Sequence, residues 1–129
     1  MPARTKDWLR QAKRDLDHAE NDLQYEFYEW ACFSAQQACE KAVKAVFFHL
    51  NADAWGHSIT MLLKKLSDHF TIDESLINGA KNLDKFYIPP RYPNGFDIGT
   101  PEDYFTKEDA QGAINNAKEI IQFCESKIS

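Results

Sequence analysis

An all-α fold, an up-and-down antiparallel bundle of four to five helices with one long proline- and aromatic-rich loop before the last helix, is what this sequence predicts. Three observations lead there. Apolar residues recur at three- and four-residue steps over most of the chain, no segment alternates with the period of two that a half-buried strand needs, and four of the five prolines gather between Tyr87 and Phe105. At 129 residues, with 43% hydrophobic and 27% charged side chains, the chain has the size and balance of a single domain over 1–129, able to fold without disulfides or metal.

The first helix follows Thr5, where Trp8, Ala12, Leu16, Ala19 and Leu23 mark one buried face. After the aromatic stretch from Tyr25 to Trp30, a second run carries Phe33, Ala38, Ala42, Ala45, Val46 and Leu50 and is expected to end near Asn51. Its small residues allow a neighbouring helix to approach closely. Gly56 breaks the pattern, and Ser58 is placed to cap a short third helix bearing Ile59, Leu62, Leu63 and Leu66. Asp73 opens a fourth, with Leu76, Ile77, Ala80 and Leu83, which must stop by about Ile88 because Pro89 and Pro90 disfavour helical geometry before them. Thr106 and Asp109 form a capping box ahead of the last helix, which carries Ala110, Ala113, Ile114, Ala117, Ile120, Ile121 and Cys124.

The connection from Tyr87 to Phe105 is too long for an ordinary turn and too aromatic for a linker. It is expected to pack back on the bundle, with Pro93-Asn94-Gly95 as a tight turn. A net charge of −5 argues against holding nucleic acid mainly through a blanket of positive charge and leaves a local basic patch open. Arg4, Lys6, Arg10, Lys13 and Arg14 crowd the first helix, but Asp7, Asp15, Asp17, Glu20 and Asp22 interleave with them, so a salt-bridged solvated face is expected. No apolar stretch is long enough for a membrane span, so no membrane is expected as a partner. Three cysteines without a close pair, and no signal-peptide pattern after Met1, lead to the expectation of a reducing cytoplasm.

No cofactor or metal is called for. The Glu-x-x-His pairs of di-iron bundles are absent, Asp15 and His18 occur once on a polar face, and no nucleophile elbow or phosphate-cradling loop is present. Arg91, between Tyr87 and Tyr92 and among rigid prolines, is suited to bidentate contact with a phosphate or carboxylate, with Tyr92 as a surface on which a base could stack. An ion pair with Asp84 or another acid that pins the loop is the alternative. His57, beside Gly56, is suited to a phosphate contact or proton transfer, or else to a bond with a loop carbonyl. On the second helix Gln36, Gln37, Glu40, Lys41 and Lys44 make a polar stripe, either an exposed face or a buried polar seam.

Three blocks, Gln36-Gln-Ala-Cys-Glu-Lys-Ala-Val-Lys44, His57-Ser-Ile-Thr-Met-Leu-Leu63 and Leu83-Asp-Lys-Phe-Tyr-Ile-Pro-Pro-Arg-Tyr-Pro93, together with the closing helix from Ala110, resemble the prokaryotic HEPN domain. The resemblance implies a helical bundle that is commonly a homodimer, is often encoded beside a minimal nucleotidyltransferase, and binds a nucleotide or completes that partner's site. Arg91, Tyr92, His57, Tyr87 and Lys44 are the residues expected to form the contact surface. Many HEPN relatives are instead metal-independent ribonucleases with an Arg followed after four to six residues by His. This sequence departs from that pattern: no His follows Arg91, and seven and three residues separate Arg10 and Arg14 from His18. An accessory, non-catalytic role is therefore expected. The alternative is a metal-independent endoribonuclease, the toxin of a toxin–antitoxin pair, in which His57 and Arg91 meet in space.

Overall fold

The computed structural model describes residues 4–128. Five α-helices, α1 (Thr5–Gln24), α2 (Tyr28–His49), α3 (Ile59–Leu66), α4 (Glu74–Asp84) and α5 (Lys107–Ile128), make up the bundle, and no strand occurs among the described residues. The fold class is the one the periodicity predicts.

Helix α2 lies at the centre. Ala31, Ala35, Ala38, Ala42 and Ala45 along it have no exposed surface, and neither do Ala110, Ala113 and Ala117 on α5. These small side chains let the helix backbones approach, while Val43, Val46, Ile59, Leu62, Leu63, Leu83 and Ile120 fill the remaining volume. Helix α1 covers one side of α2, with Trp8 packed on Phe48 at 5.2 Å between ring centroids.

Both long N-terminal helices end in the same motif. At the end of α1 the amides of Glu26 and Phe27 donate to the carbonyls of Leu23 and Asp22; at the end of α2 those of Asn51 and Ala52 donate to Phe48 and Phe47. This is the Schellman arrangement, and its turning residue takes positive φ: 66° at Glu26 and 55° at Asn51. The aromatic stretch is thereby split, with Tyr25 to Phe27 in the turn and Tyr28 to Trp30 in the first turn of α2.

Ser58 caps α3 as expected, accepting from the Met61 amide at 3.2 Å. A second cap comes from α4: the Asp84 carboxylate accepts from the amides of Ile59 at 2.7 Å and Thr60 at 3.2 Å and from the Ser58 hydroxyl at 3.1 Å. Asp73 occupies the N-cap position of α4 without making a side-chain bond there. Gly79, inside α4, faces Asn116 of α5, whose side chain would lie 3.2 Å from an added Cβ, and Asn116 donates to Asn82 at 2.9 Å. The glycine marks a close helix contact.

The segment between α4 and α5 is ordered by three 3-10 turns, Pro89–Arg91, Pro93–Gly95 and Pro101–Asp103. Phe96 stacks on Tyr104 at 4.2 Å, and Phe105 meets Phe86 edge-on at 5.8 Å, so the aromatic residues hold the loop on the bundle. Thr106 and Asp109 close the expected capping box of α5, at 2.9 and 3.1 Å.

Candidate functional site

Along α2 one stripe escapes full burial: Trp30, Phe33, Gln37, Lys41, Lys44 and Phe48, at helical spacing. The site forms where this stripe meets the segment before α3 and the first 3-10 turn after α4. Pro89 and Pro90 wind that turn and Pro90 is buried, so the backbone carrying Arg91 has little freedom.

Arg91 Nε donates to the Tyr87 carbonyl at 2.8 Å. Its guanidinium carbon lies 4.4 Å from the centre of the Phe33 ring, 4.7 Å from Tyr87 and 5.3 Å from Tyr92. Rings on several sides hold the planar cation by cation–π attraction. Among the described residues no carboxylate pairs with it. The ion pair with Asp84 weighed as the alternative does not form, because that carboxylate is committed to the α3 cap. The terminal guanidinium nitrogens remain for an anion approaching edge-on.

His57 joins the same ring system, lying 4.4 Å from the Tyr87 ring with 19° between planes. Its Nδ1 is 3.0 Å from Glu40 Oε2, so the ring is held by a carboxylate where a loop carbonyl was the alternative. Glu40 is 6% exposed. Gln36, fully buried, donates to Glu40 Oε1 at 3.1 Å and reaches the His57 carbonyl at 3.4 Å, while Gln37 donates to Gln36 Oε1 at 2.8 Å. Lys44 donates to Glu40 Oε2 at 3.0 Å. Of the two readings of the α2 stripe, the buried polar seam therefore applies to Gln36 and Glu40, and every bond it needs is made.

Four of the five residues singled out by sequence, His57, Tyr87, Arg91 and Tyr92, share one stacked surface, and Lys44 reaches it through Glu40. Two members lie outside those five. Phe33 follows the apolar period of α2 and reads as core, and Glu40 reads as one more charge in a stripe. The signal for Glu40 was its four-residue step to both Gln36 and Lys44. Lys44 is paired with Glu40, and Asp84 is bound to Ser58 beside His57, so among the described residues Arg91 is the cation of the site that no acid neutralises.

Elsewhere, His18 Nδ1 lies 2.9 Å from Ser34 Oγ and 3.4 Å from Asp22, and the serine hydroxyl donates to Asp22 at 3.3 Å. Because that proton points to the carboxylate and the same ring nitrogen meets both neighbours, the serine is not arranged as a nucleophile. Burial raises the Asp22 carboxyl, an effect that His18 and the Ser34 bond partly offset. Of the salt-bridged face expected on α1 only Arg4 with Asp7, at 3.0 Å, forms between the interleaved charges; Lys13 instead pairs with Glu125 of α5 at 2.6 Å, Asp15 with Lys41 of α2 and Glu20 with Lys118 of α5, and no ion pair of Lys6, Arg10 or Arg14 occurs among the described residues. A hollow beside them is walled mostly by exposed side chains of α1, such as Arg10, Arg14 and Asp17. Among the described residues no three His, Cys, Asp or Glu side chains gather as a metal site. Among the described residues no helix is long and apolar enough to cross a membrane.

Residues 5–127 match the HEPN domain. The chain belongs to the HEPN domain family. Its fold superposes on the crystal structure of TT1696 from Thermus thermophilus with a TM-score of 0.93 at 43% identity, covering 96% of this chain and 98% of that one. An HEPN domain protein of Thermotoga maritima, TM0613, gives a TM-score of 0.77 at 44% identity over 93% and 95% of the two chains. Among curated relatives, MJ1304 of Methanocaldococcus jannaschii, named as a candidate toxin, is 26% identical over 124 residues, 89% of this chain and 82% of its own length. The HEPN blocks recognised in the sequence are the segments that build the site: Gln36 to Lys44 supplies the polar seam, His57 the stacked imidazole, and Tyr87 to Pro93 the caged arginine.

Proposed function

We propose that this HEPN protein is an accessory domain, one unit over 1–129, that binds the phosphate of a nucleotide at Arg91. Tyr92, nearly half exposed, offers a face to the base, and Tyr87, His57 and Lys44 complete the surface. The observation that carries this reading is a guanidinium held by three rings and a backbone carbonyl, with no acid to neutralise it among the described residues. A cation so positioned is preorganised for bidentate contact with a phosphate. In the wider reading the protein works as a cytoplasmic homodimer, through the exposed aromatic residues Tyr25, Phe27 and Trp30, beside a minimal nucleotidyltransferase.

Titration calorimetry with nucleoside monophosphates tests the site. Charge-assisted hydrogen bonds contribute about 1.5–3 kcal/mol, so Arg91→Ala is expected to weaken binding by about ten- to a hundredfold with unchanged helical circular dichroism. An isotherm unaffected by the substitution refutes the assignment. Sedimentation velocity at micromolar concentration tests the homodimer, which a single monomeric boundary would exclude.

One observation favours a second reading, a metal-independent endoribonuclease: Glu40 holds His57 in the manner of an orienting carboxylate, and His57 and Arg91 rest on the same Tyr87 ring. The name given to MJ1304 is in keeping with it. RNA cleavage in EDTA, lost in both His57→Ala and Arg91→Ala, is the result it requires. Intact RNA after incubation with excess wild-type protein removes it.

A further inference from the structure

The hydrogen bonds around Glu40 reach beyond charge balance. An ionised carboxylate can only accept, and every contact of Glu40 is with a donor or a ring nitrogen: Gln36 Nε2 at 3.1 Å, Lys44 Nζ at 3.0 Å and His57 Nδ1 at 3.0 Å. The imidazole must then carry its proton on Nδ1, so in the neutral ring Nε2 is left with its lone pair. A free neutral imidazole favours the opposite tautomer. The Glu40 side chain is 8% exposed and that of His57 54%, so the carboxylate is fixed inside the bundle while the ring reaches out to solvent. Gln36 adds a second restraint by approaching the His57 carbonyl at 3.4 Å, and Tyr87 stacks on the ring and sets its plane.

We propose that Glu40 is the positioning residue of this site, locking His57 as the Nδ1–H tautomer so that Nε2 accepts a hydrogen bond from a ligand hydroxyl lying beside the phosphate held by Arg91. The ligand class rests on the phosphate-binding reading above; the tautomer does not. A hydroxyl next to a phosphate is what a ribonucleoside 3′-phosphate offers and its 2′-deoxy analogue lacks. Lys44 and Gln36 act one step further back, each donating to one oxygen of Glu40 so that the carboxylate is held on both sides.

Two measurements on the full chain test this. Long-range proton–nitrogen correlation spectra of the 15N-labelled wild-type protein, taken at a pH where His57 is neutral, are expected to show Nδ1 protonated and Nε2 bare. Glu40→Ala should return the ring toward the Nε2–H form. A wild-type ring already protonated on Nε2 overturns the proposal without any variant having to fold, and a pattern unchanged in a folded Glu40→Ala protein overturns the role of Glu40. The second measurement compares adenosine 3′-monophosphate with its 2′-deoxy analogue by calorimetry. Wild type should prefer the ribonucleotide by about three- to tenfold, the range of one net hydrogen bond, and Glu40→Ala should lose that preference while keeping the affinity for phosphate. Arg91→Ala should weaken both probes together. Equal wild-type affinity for the two overturns the hydroxyl contact. Failure of both to bind overturns the phosphate reading, and the imidazole spectrum still decides what Glu40 does.

Discussion

Asp22 shows how the protein handles a buried charge away from the site. It is 8% exposed, and burial raises its carboxyl above the ordinary value of 3.8, with His18 and the Ser34 hydroxyl offsetting only part of that cost. A carboxyl whose folded-state value lies above its unfolded one contributes stability below the unfolded value and loses it as pH rises through the folded one. Asp22→Asn keeps an oxygen for Ser34 and removes the charge. Its stability relative to wild type should therefore grow as pH is raised from about 3 to about 8, as read from urea midpoints; a difference that shrinks over that range contradicts the burial argument. Such a residue is invisible in the sequence, where Asp22 is one of several acids interleaved with the bases of α1. Arg91 was legible for the opposite reason: prolines and tyrosines packed closely around it along the chain announce a local constraint.

Helix ends follow the same division between local and distant information. The Ser58 cap and the Thr106 box were legible because partner and cap lie three residues apart, whereas Asp84 reaches the Ile59 amide from 25 residues away. Its negative charge meets the orphan amides at the N-terminus of α3, favourable for both capping and the helix dipole. Asp84→Ala is expected to cost about 1–2 kcal/mol, the upper range for a lost cap. Because Ser58 adjoins His57, the same substitution should also weaken the nucleotide binding we propose; thermal unfolding and calorimetry read the two effects, and a binding constant unaltered in the destabilised variant would uncouple cap from site. The end of α1 was not legible, since the turning residue that takes φ 66° is a glutamate and not the glycine or asparagine that usually signals a helix stop. Glu26→Gly removes the steric cost of the left-handed region, less the extra entropy glycine loses on folding, and should stabilise by roughly 0.5–1 kcal/mol. A lower melting temperature would show that Glu26 contributes contacts that outweigh its backbone strain.

At the scale of the whole molecule the core was readable and the site only half so. Apolar periodicity places Ala42, Val46, Leu63 and Ile120 inward whichever helix each one meets, but it cannot separate Phe33, which packs under Arg91, from core neighbours with the same spacing. Nor can it say which polar residues of α2 turn inward, because burial of Gln36 and Glu40 depends on hydrogen-bond partners supplied from the α2–α3 connection and from α2 itself. The cysteines offer a global test of this packing. Cys32 and Cys39 on α2 and Cys124 on α5 have no exposed surface, and all three are free thiols. Burial, with smaller effects from Asp109 and Glu29, pushes Cys32 up from 9.0 to about 12, and burial likewise raises Cys39 and Cys124. Reaction with a disulfide reagent needs an accessible thiolate, which the native protein denies on both counts. The native chain is therefore expected to show no reactive thiol at neutral pH and all three in guanidinium, appearing over the same denaturant range as the loss of helical circular dichroism. The same values set the alkaline limb: thiols raised on folding contribute stability below the unfolded value of 9.0 and lose it as pH climbs from there toward about 12. Early labelling of Cys124 alone would mean that α5 opens as a separate unit, leaving α2 with its polar seam as the stable part of the bundle.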